Sequence, residues 1–569
     1  MKNIFFLFPW ELFKYPFSKK FHPGNALTLL IYRNKFIIKG FFDGVSMVKH
    51  FFDAGKPPFI AVATLITGLV AASSFAADRS VALNKDIESL EPMKGIVFWP
   101  DQAEDQKDLQ GSISLEFSYC LPCAVVTGKT GDKIDYDWSS FEKLLDGIKG
   151  RGHQAIVRFR IEYPGESIQN APNCTEGVKG ATAVPKYIKE MDGYNESKND
   201  VDGDGVTYYA NWNFDELKWF YKQFYTDFAA KYDTDPRIAF VQVGFGHWAE
   251  YHIYGTAITD SNFASKEYQT EFLKHVDKQF KETPWSISID AADDEYTPIV
   301  ASKDLMKLHF GLFDDSFMHK EHDVSQGDGD NEKNWQAIGK DRWKTAPAGG
   351  EISYYEDKDQ HEFLNPAGLY GVTWEDAAGK YHMTYVIGND APEGKYATKD
   401  RVYEASSYAG YKFEVTGYAV NKVSAAVRVK NIGIAPLYHN AYVTVKGVRS
   451  EKSLKGLLPG EEATFTVTGI EISGKESPEP TITSDKLLKD VTIPYKASLD
   501  GNAAVIEGLV DESGTTGIAG VRWNKDVTGK DAGDLGKTRA NKLTDLKGRK
   551  VNHKAANKVL RVYYPVSNR

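Results

Sequence analysis

The sequence has few cysteines, no excess of basic residues and no apolar run long enough for a comfortable transmembrane span. Three cysteines among 569 residues are too few for a disulfide-stabilised scaffold, although one bridge is possible. The 69 Lys and Arg residues are outnumbered by 78 Asp and Glu residues, which argues against a general nucleic-acid binder. With 42% hydrophobic residues the chain should fold, and its length allows two or three domains.

The most apolar segment is typical of a secretory signal peptide. Residues 57–76 read PPFIAVATLITGLVAASSFA, in which an apolar core ends in small residues, with Ser74 and Ala76 at the −3 and −1 positions of a cleavage site. Because 46 residues precede Met47, we interpret Met47 as the true start, residues 47–76 as the signal peptide and residues 1–46 as disordered upstream translation. The alternative is a membrane-anchoring extension that keeps the apolar segment as a signal anchor.

Removal of this leader makes the protein more acidic. Residues 1–76 contain nine Lys or Arg and three Asp or Glu, so the remaining 493 residues carry 60 basic and 75 acidic side chains, a net charge of −15. No cysteine follows the cleavage site, which argues against a lipoprotein anchor. We therefore expect a periplasmic or secreted protein without stable membrane insertion after signal cleavage.

Between residues 90 and 402, short apolar runs alternate with amphipathic helical stretches, as in a β/α fold with parallel strands. The candidate strands are GIVFW (95–99), SISLEFSY (112–119), AIVRFRIEY (155–163), IAFVQVGFG (238–246), WSISID (285–290), LHFGLF (308–313), GGEISYY (349–355) and YHMTYVIG (381–388). Their number and spacing predict an α/β fold of the (β/α)8 TIM-barrel type. A doubly wound open sheet is the alternative, but GIVFWPDQ lacks the Gly-rich turn of its nucleotide-binding forms.

After the barrel the hydrophobic period changes. Residues 403–497 contain runs such as YKFEVTGYAV and ATFTVTGIEI, whose period-two alternation predicts an antiparallel β-sandwich. Residues 498–569 are rich in Gly, Asp, Lys and Asn and are interpreted as a small C-terminal β-module or tail.

Two glutamates stand near the ends of predicted barrel strands: Glu250 follows one, and Glu351 ends or opens another. Active sites of such barrels lie at the C-terminal face of the strands. In IAFVQVGFGHWAEYHIYG, the predicted rim residues around Glu250 are His247, Trp248, Tyr251 and His252. Their rings would partly desolvate the Glu250 carboxyl, which raises its pKa and suits it to general acid catalysis. The rings also offer flat faces on which a sugar can stack. In APAGGEISYYE, Glu351 belongs to the seventh unit, whereas Glu250 closes the fourth. Two carboxylates facing each other across the barrel mouth are what glycoside hydrolysis requires. Purely structural roles, a salt bridge for Glu250 and a helix cap for Glu351, are the alternatives.

The segment KYDTDPRIAFVQVGFGHWAEYHIYG resembles the signature of the domain-of-unknown-function family 4832, and LHFGLFDDSF, PAGGEI and VRVKNIGIAPLYHNAYVTV resemble its later blocks. The resemblance covers roughly residues 95–450. It implies a barrel related to the retaining clan GH-A, with Glu250 in the acid/base position and Glu351 in the nucleophile position. The clan usually has Asn before its acid/base Glu, whereas this sequence has Ala249.

Further rim residues are candidates for substrate binding, with structural roles as the alternative. Arg158 and Arg160 are two positions apart on one predicted strand, so their side chains share a face. One of them could bind a substrate oxygen or an anionic group, and a salt bridge inside the barrel is the alternative. The others end later strands or lie in the loops that follow them: Asp290, Asp314, Asp315, His319, His322 beside Lys320, Asn389 and Asp390. The His and Lys residues would suit a sulfate or uronate, and a solvated loop is the alternative.

A structural calcium site is the cofactor hypothesis, and no cofactor is expected in catalysis. DVDGDGVTYYAN places Asp200, Asp202 and Asp204 at positions 1, 3 and 5 of a calcium loop, but position 12 is Asn211 rather than Glu. A plain acidic turn is the alternative. Zinc bound through HWAEYH is disfavoured, because its two His residues are five positions apart rather than four.

The CLPC pair lies at a barrel strand end rather than in a thioredoxin pattern, so redox catalysis is not expected. In an exported chain we expect Cys120 or Cys123 to pair with Cys174.

These observations predict an exported, retaining, exo-acting glycoside hydrolase that cleaves β-glycosidic bonds of an oligo- or polysaccharide. The family resemblance, together with the His, Lys and Arg groups, suggests a galactan or carrageenan-type substrate. We expect a short or lightly sulfated oligosaccharide, since a charge of −15 disfavours a heavily sulfated polymer. A noncatalytic carbohydrate-binding barrel of a polysaccharide-utilisation system is the alternative. No nucleic-acid partner is expected, and the sequence does not indicate the oligomeric state.

Overall fold

The computed structural model describes residues 78–510 except 202, 324 and 503–505. Of the first 77 residues it describes only the backbone of four strands that form one sheet: Phe6–Leu7, Leu27–Tyr32, Lys35–Phe42 and Val45–Asp53. These strands depart from the disorder predicted for residues 1–46, whereas the signal-peptide segment 57–76 and the tail beyond residue 510 lie outside the described residues. The division of the leader stays a prediction.

Eight parallel strands close into a barrel, which confirms the predicted fold class. Each forms from one of the predicted apolar runs: β1 Gly95–Phe98, β2 Leu115–Cys120, β3 Gln154–Phe159, β4 Ile238–Gln242, β5 Trp285–Ser288, β6 Gly311–Phe317, β7 Ala348–Ile352 and β8 Tyr385–Ile387. Neighbouring strands pair in chain order, and β8 pairs with β1 to close the barrel. The doubly wound alternative is therefore wrong.

Helices surround the barrel and pack apolar faces on the outside of the strands. The α-helices are α1 Pro100–Asp105, α2 Pro122–Val125, α3 Ser139–Gly150, α4 Lys186–Lys189, α5 Asp215–Tyr232, α6 Lys266–Gln279, α7 Asp330–Gly339, α8 Asp357–Glu362, α9 Trp374–Tyr381 and α10 Lys399–Tyr408. Short 3₁₀ segments span Lys107–Ser112, Ile289–Ala292, Leu305–Lys307, Lys320–His322, Arg342–Lys344 and Ala391–Glu393. None of the helices in the described part of the chain combines the length and hydropathy needed to cross a membrane.

Two small hairpins leave the barrel at its loops. One pairs Val126–Thr130 with Lys133–Tyr136, after β2. The other pairs Ser197–Val201 with Gly205–Tyr209, between β3 and α5, and contains the predicted calcium loop.

Two sheets follow the barrel. The larger contains β9 Phe413–Val420, β10 Ser424–Asn431, β13 Glu462–Thr468 and β15 Lys496–Asp500, and the smaller contains β11 Tyr442–Val445, β12 Val448–Arg449 and β14 Thr481–Thr483. Most pairs are antiparallel, as predicted, but β9 and β15 are parallel. Side chains of both sheets share one hydrophobic cluster, which continues into the barrel interior through Val97, Phe117 and Phe240.

The larger sheet also contains residues from before the barrel, which the sequence did not indicate. Arg79–Ser80 pairs with β9, and Ala82–Lys85 pairs with β15. The predicted boundaries at 402 and 497 also shift. Helix α10 runs to Tyr408 and packs on β1, where Ser406 contacts Gly95, and β15 extends to Asp500.

Candidate active site at the barrel mouth

A layer of polar side chains crosses the barrel interior near the C-terminal ends of its strands. Tyr119, Arg158 and Gln242 are direct register partners on β2, β3 and β4, so their side chains point inward side by side. The buried Arg158 guanidinium donates from Nε to Gln242 Oε1 at 2.7 Å and from Nη1 to the Tyr119 hydroxyl oxygen at 3.1 Å. Gln242 donates in turn to the Tyr385 hydroxyl at 2.9 Å. This network fixes the guanidinium within the barrel.

Arg158 brings the two predicted catalytic glutamates together. Its Nη1 donates to Glu250 Oε1, and its Nη2 lies 3.8 Å from Glu351 Oε2. Both glutamates are nearly buried, with 4% of Glu250 and 2% of Glu351 exposed. Glu250 follows β4 and Glu351 lies in β7, which confirms the predicted strand positions.

The two oxygens of Glu351 have different surroundings. The Tyr354 hydroxyl donates to Oε1 at 2.7 Å, and the same hydroxyl lies 2.8 Å from Asn389 Oδ1. Within the described residues Oε2 has no hydrogen-bond donor. One oxygen is thus held in place while the other remains available for chemistry.

Burial raises the pKa of both glutamates. For Glu250 the pKa lies well above the ordinary carboxyl range, because the charge of Asp315 adds to burial while Arg158 acts in the opposite direction. For Glu351 burial raises the pKa, whereas Arg158 and the bond from Tyr354 lower it. The two glutamates thus share burial and Arg158, but among the described residues only Glu351 also accepts a hydrogen bond from a tyrosine.

The backbone around Glu250 adopts an unusual conformation. Trp248, Ala249 and Tyr251 have φ angles of 54°, 64° and 70°, in the left-handed region that residues other than glycine rarely enter. Gly244 permits the turn, since a Cβ at this position would lie 1.8 Å from the Ala249 carbonyl oxygen. Such strained backbone clusters at functional sites.

This turn separates the predicted rim residues into two sets. His247 and Tyr251 are fully buried. His247 Nε2 lies 3.1 Å from the Tyr209 hydroxyl oxygen, and the ring of Tyr251 packs against that of Phe245, with 5.9 Å between the ring centroids. Both side chains therefore lie in the interior rather than on the rim, where the sequence had placed them. Trp248 and His252 are half-buried and do reach the rim.

At the rim, three rings lie close together: the Tyr254 centroid is 6.2 Å from that of Trp248 and 5.7 Å from that of His252, and the latter two are 6.0 Å apart. Together Trp248, His252 and Tyr254 form the aromatic rim of the site. They provide ring faces on which a sugar can stack.

Asp290 and Asp315 are half-buried on the same side of the mouth. Asp290 Oδ2 lies 2.8 Å from His252 Nδ1. Arg160 lies over the ring of Tyr163, 4.1 Å from its centroid, and burial lowers its pKa to about 10.

Other predicted substrate contacts have structural partners. His319 is 6% exposed and its Nδ1 lies 2.7 Å from Asp359 Oδ2. Lys320 forms an ion pair with Glu356 at 2.9 Å. Asn389 is 1% exposed and contacts the Tyr354 hydroxyl, so it positions that tyrosine rather than meeting substrate directly.

The predicted calcium loop forms the turn of a hairpin. Asp200 lies in its first strand, Asp202 lies outside the described residues, and Asp204 accepts a hydrogen bond from Tyr254. Calcium binding there stays a prediction.

One disulfide bond joins Cys123 to Cys174, with a Cα–Cα distance of 5.1 Å, and Cys120 is a buried free thiol. This confirms one of the two predicted pairings. Burial raises the pKa of Cys120 to about 12, so it is a poor nucleophile.

Sequence reasoning missed three residues that build the site, Tyr119, Gln242 and Tyr354. It also missed Glu162, whose backbone oxygen accepts a hydrogen bond from the Trp248 N–H at 3.2 Å. Tyr354 could have been found, because it stands three residues after Glu351 in a strand end rich in tyrosine. Glu162 carried no comparable signal. It is buried and accepts hydrogen bonds from Trp212 Nε1 at 3.1 Å and the Ala210 backbone N–H at 3.3 Å.

No protein-family model matches the sequence, and no curated protein matches it. Similar solved structures include the catalytic domain of a β-amylase from Paenibacillus polymyxa, 10% identical, covering 56% of this chain and 99% of that one, with a TM-score of 0.32. A trimodular endoglucanase of subfamily GH5_4 is 9% identical, with coverages of 72% and 78% and a TM-score of 0.32. A psychrophilic family 10 endo-β-1,4-xylanase is 8% identical, with coverages of 56% and 96% and a TM-score of 0.30. These scores are too low to carry an argument, and the fold assignment rests on the strand pairing itself.

Proposed function

We propose that the protein is an exported glycoside hydrolase in which Glu250 is the general acid/base and Glu351 the nucleophile of a retaining reaction. The observation that carries the proposal is that one buried guanidinium, Arg158, contacts both carboxylates at the ends of β4 and β7. The two groups are thereby close enough to act on one glycosidic bond. Two carboxylates that flank the scissile bond are the machinery of this reaction class.

The surroundings of each glutamate support the division of roles. Glu351 Oε2, without a hydrogen-bond donor in the described structure, attacks the anomeric carbon while Tyr354 holds Oε1. Glu250 gives its proton to the leaving oxygen. Water then attacks the glycosyl-enzyme ester, and Glu250 takes up the water proton, which restores both groups.

The substrate proposal is a short oligosaccharide with little or no sulfate, cleaved in exo mode from a galactan of the carrageenan type. The aromatic rim supports a sugar ligand. The cluster of His319 and Lys320, which would suit a sulfate, is already paired with Asp359 and Glu356. With Asp290 and Asp315 at the mouth, the charge favours neutral sugar units at this position.

Activity measurements on two alanine variants test the assignment. With an aryl glycoside that has a good leaving group, Glu250→Ala should retain glycosylation but release product slowly, and azide should restore turnover and give a glycosyl azide of retained configuration. Glu351→Ala should lose activity at least about 10³-fold, and azide should give the inverted glycosyl azide. A screen of polysaccharides and their oligosaccharides, with product analysis, first identifies the sugar.

Glu356→Gln is the matched control, because this exposed glutamate lies five residues after Glu351 and pairs with Lys320 instead of Arg158. It should retain wild-type kcat. Full activity in either Glu250→Ala or Glu351→Ala would disprove the proposal, provided circular dichroism shows the native fold.

A noncatalytic carbohydrate-binding barrel is the second candidate. The observation that favours it is the near-complete burial of both carboxylates beneath the rim. It predicts thermal stabilisation by the same oligosaccharides without product release, even after prolonged incubation.

A further inference from the structure

Three potential metal ligands meet at the barrel mouth beside Glu250. One ligand atom from each of His252, Asp290 and Asp315 lies within 4.8 Å of the other two, and His252 Nδ1 is 2.8 Å from Asp290 Oδ2. Among the described residues, no second group of three His, Cys, Asp or Glu side chains is this close. All three side chains are only half-buried, so an ion between them would face the mouth.

The barrel topology produces this cluster. His252 follows β4, Asp290 follows β5 and Asp315 lies in β6, and these strands are consecutive neighbours in the sheet. The pairing of β6 with β7 shifts register between Asp314 and Phe317. Such an irregularity changes the direction of side chains at a strand end. His247, the other histidine of HWAEYH, is buried and takes no part.

The two neighbouring aspartates of β6 differ in their partners. Asp314 accepts hydrogen bonds from Asn331 Nδ2 at 2.6 Å, the Ser316 N–H at 3.0 Å and Trp335 Nε1 at 3.0 Å. The Asp315 carboxylate receives no side-chain donor from the described part of the protein. Asp314 is therefore a structural residue, whereas Asp315 offers a free carboxylate to a ligand.

Charge in this region is unbalanced. Arg158 is engaged with Glu250 and Glu351, whereas Asp290 and Asp315 bring two carboxylates together beside the single imidazole of His252. Carboxylates this close to one another repel each other. A bound cation at the Asp290–Asp315 side would relieve this repulsion.

We propose that His252, Asp290 and Asp315 bind one divalent transition-metal ion of the zinc type. Two carboxylates and one imidazole are ligands that zinc accepts, and calcium is disfavoured because it requires six to eight oxygens. Three protein ligands leave a fourth position open toward the mouth, where a water or a sugar hydroxyl completes the coordination. Ligand atoms about 2.1 Å from a tetrahedral ion are about 3.4 Å from one another. Here the ligand atoms lie within 4.8 Å of one another, so small side-chain movements would complete the coordination. Asn334 Nδ2, 3.4 Å from Asp290 Oδ1, supports the second oxygen of that ligand.

Metal analysis of the full protein tests the site without reference to hydrolysis. The protein is stripped of metal with a chelator, incubated separately with Zn²⁺, Mn²⁺, Ca²⁺ or Mg²⁺, and passed through a gel-filtration column. The metal bound per chain is then measured by elemental mass spectrometry. Wild type should retain about one Zn²⁺ per chain and show a higher melting temperature with zinc. His252→Ala and Asp315→Asn should each weaken zinc binding at least about 100-fold. Cobalt(II) should give visible absorption bands in wild type that both variants lose.

His309→Ala is the matched control, since His309 also contacts an aspartate, with Nδ1 3.2 Å from Asp277 Oδ1, but has no third ligand. It should bind zinc like wild type. Zinc retained by both His252→Ala and Asp315→Asn, or stoichiometric calcium without zinc, would overturn the proposal. Circular dichroism of each variant and the more conservative His252→Gln separate loss of the site from loss of the fold. Because metal content is measured directly, a negative result leaves the roles of Glu250 and Glu351 untouched.

Discussion

At the scale of single residues, the Tyr354 hydroxyl tests how Glu351 is held in place. Tyr354→Phe deletes the hydrogen bond to Glu351 Oε1. A hydrogen bond to a charged group contributes about 1.5–3 kcal/mol, so kcat should fall about 10- to 100-fold. Tyr355→Phe removes the hydroxyl of the next residue, which is 68% exposed, and should change kcat less than twofold. Equal kcat values for the two variants would contradict the role of Tyr354.

A second residue-scale prediction concerns pH. Burial raises the pKa of Glu162 to about 8 from an ordinary value of 4.5. The folded protein therefore keeps a proton that the unfolded chain releases, so this contribution to stability is complete below about pH 4.5 and is lost as the pH rises to about 8. Glu162→Gln cannot ionise and keeps an acceptor for Trp212.

The measurement is the melting temperature of wild type and Glu162→Gln between pH 4.5 and 8.5. Wild type should lose on the order of a few kcal/mol more stability than the variant across this range. Parallel pH profiles would show that Glu162 titrates normally in the folded protein.

At the scale of elements, the turn after β4 determines where Glu250 lies. Gly244→Ala would place a Cβ 1.8 Å from the Ala249 carbonyl oxygen, so the turn must move. We expect a loss of about 3 kcal/mol in the free energy of unfolding, measured with urea, together with loss of hydrolysis. Gly147→Ala, at an exposed position inside α3 with no close neighbour for the new methyl group, should instead add about 0.5–1 kcal/mol. If Gly244→Ala had wild-type stability, the close approach of the Ala249 carbonyl oxygen to Gly244 would be disproved.

The eight barrel strands could be predicted because parallel strands buried on both faces appear as continuous apolar runs. Both catalytic candidates could be predicted because Glu250 follows such a run and Glu351 lies within one. The inward direction of His247 and Tyr251 could not, since a left-handed turn replaces the strand alternation there. Nor could the pairing of Ala82–Lys85 with β15, because a contact between distant segments leaves no local pattern.

At the scale of the whole molecule, Lys486 connects the sheet region to the barrel. Its buried ammonium donates to the Asp233 and Asp235 carbonyl oxygens at 2.9 and 2.8 Å and to the Thr283 hydroxyl at 2.8 Å. Lys486→Met would leave these acceptors unsatisfied, and we expect the free energy of unfolding to fall by about 3 kcal/mol. Lys489→Met, at an exposed position nearby, should change it by less than about 0.5 kcal/mol. Similar urea midpoints for the two variants would show that Lys486 does not join the regions.

The strand Ala82–Lys85 has a consequence for the time course of biosynthesis. It pairs with β15, whose first residue is Lys496, so it must wait for about 400 further residues to be synthesised. At about 5–20 residues per second this delay is about 20–80 seconds. During that interval the barrel strands, which pair with sequence neighbours except for β8 and β1, can already assemble. Of the barrel and the two sheets that follow it, the larger sheet is therefore completed last.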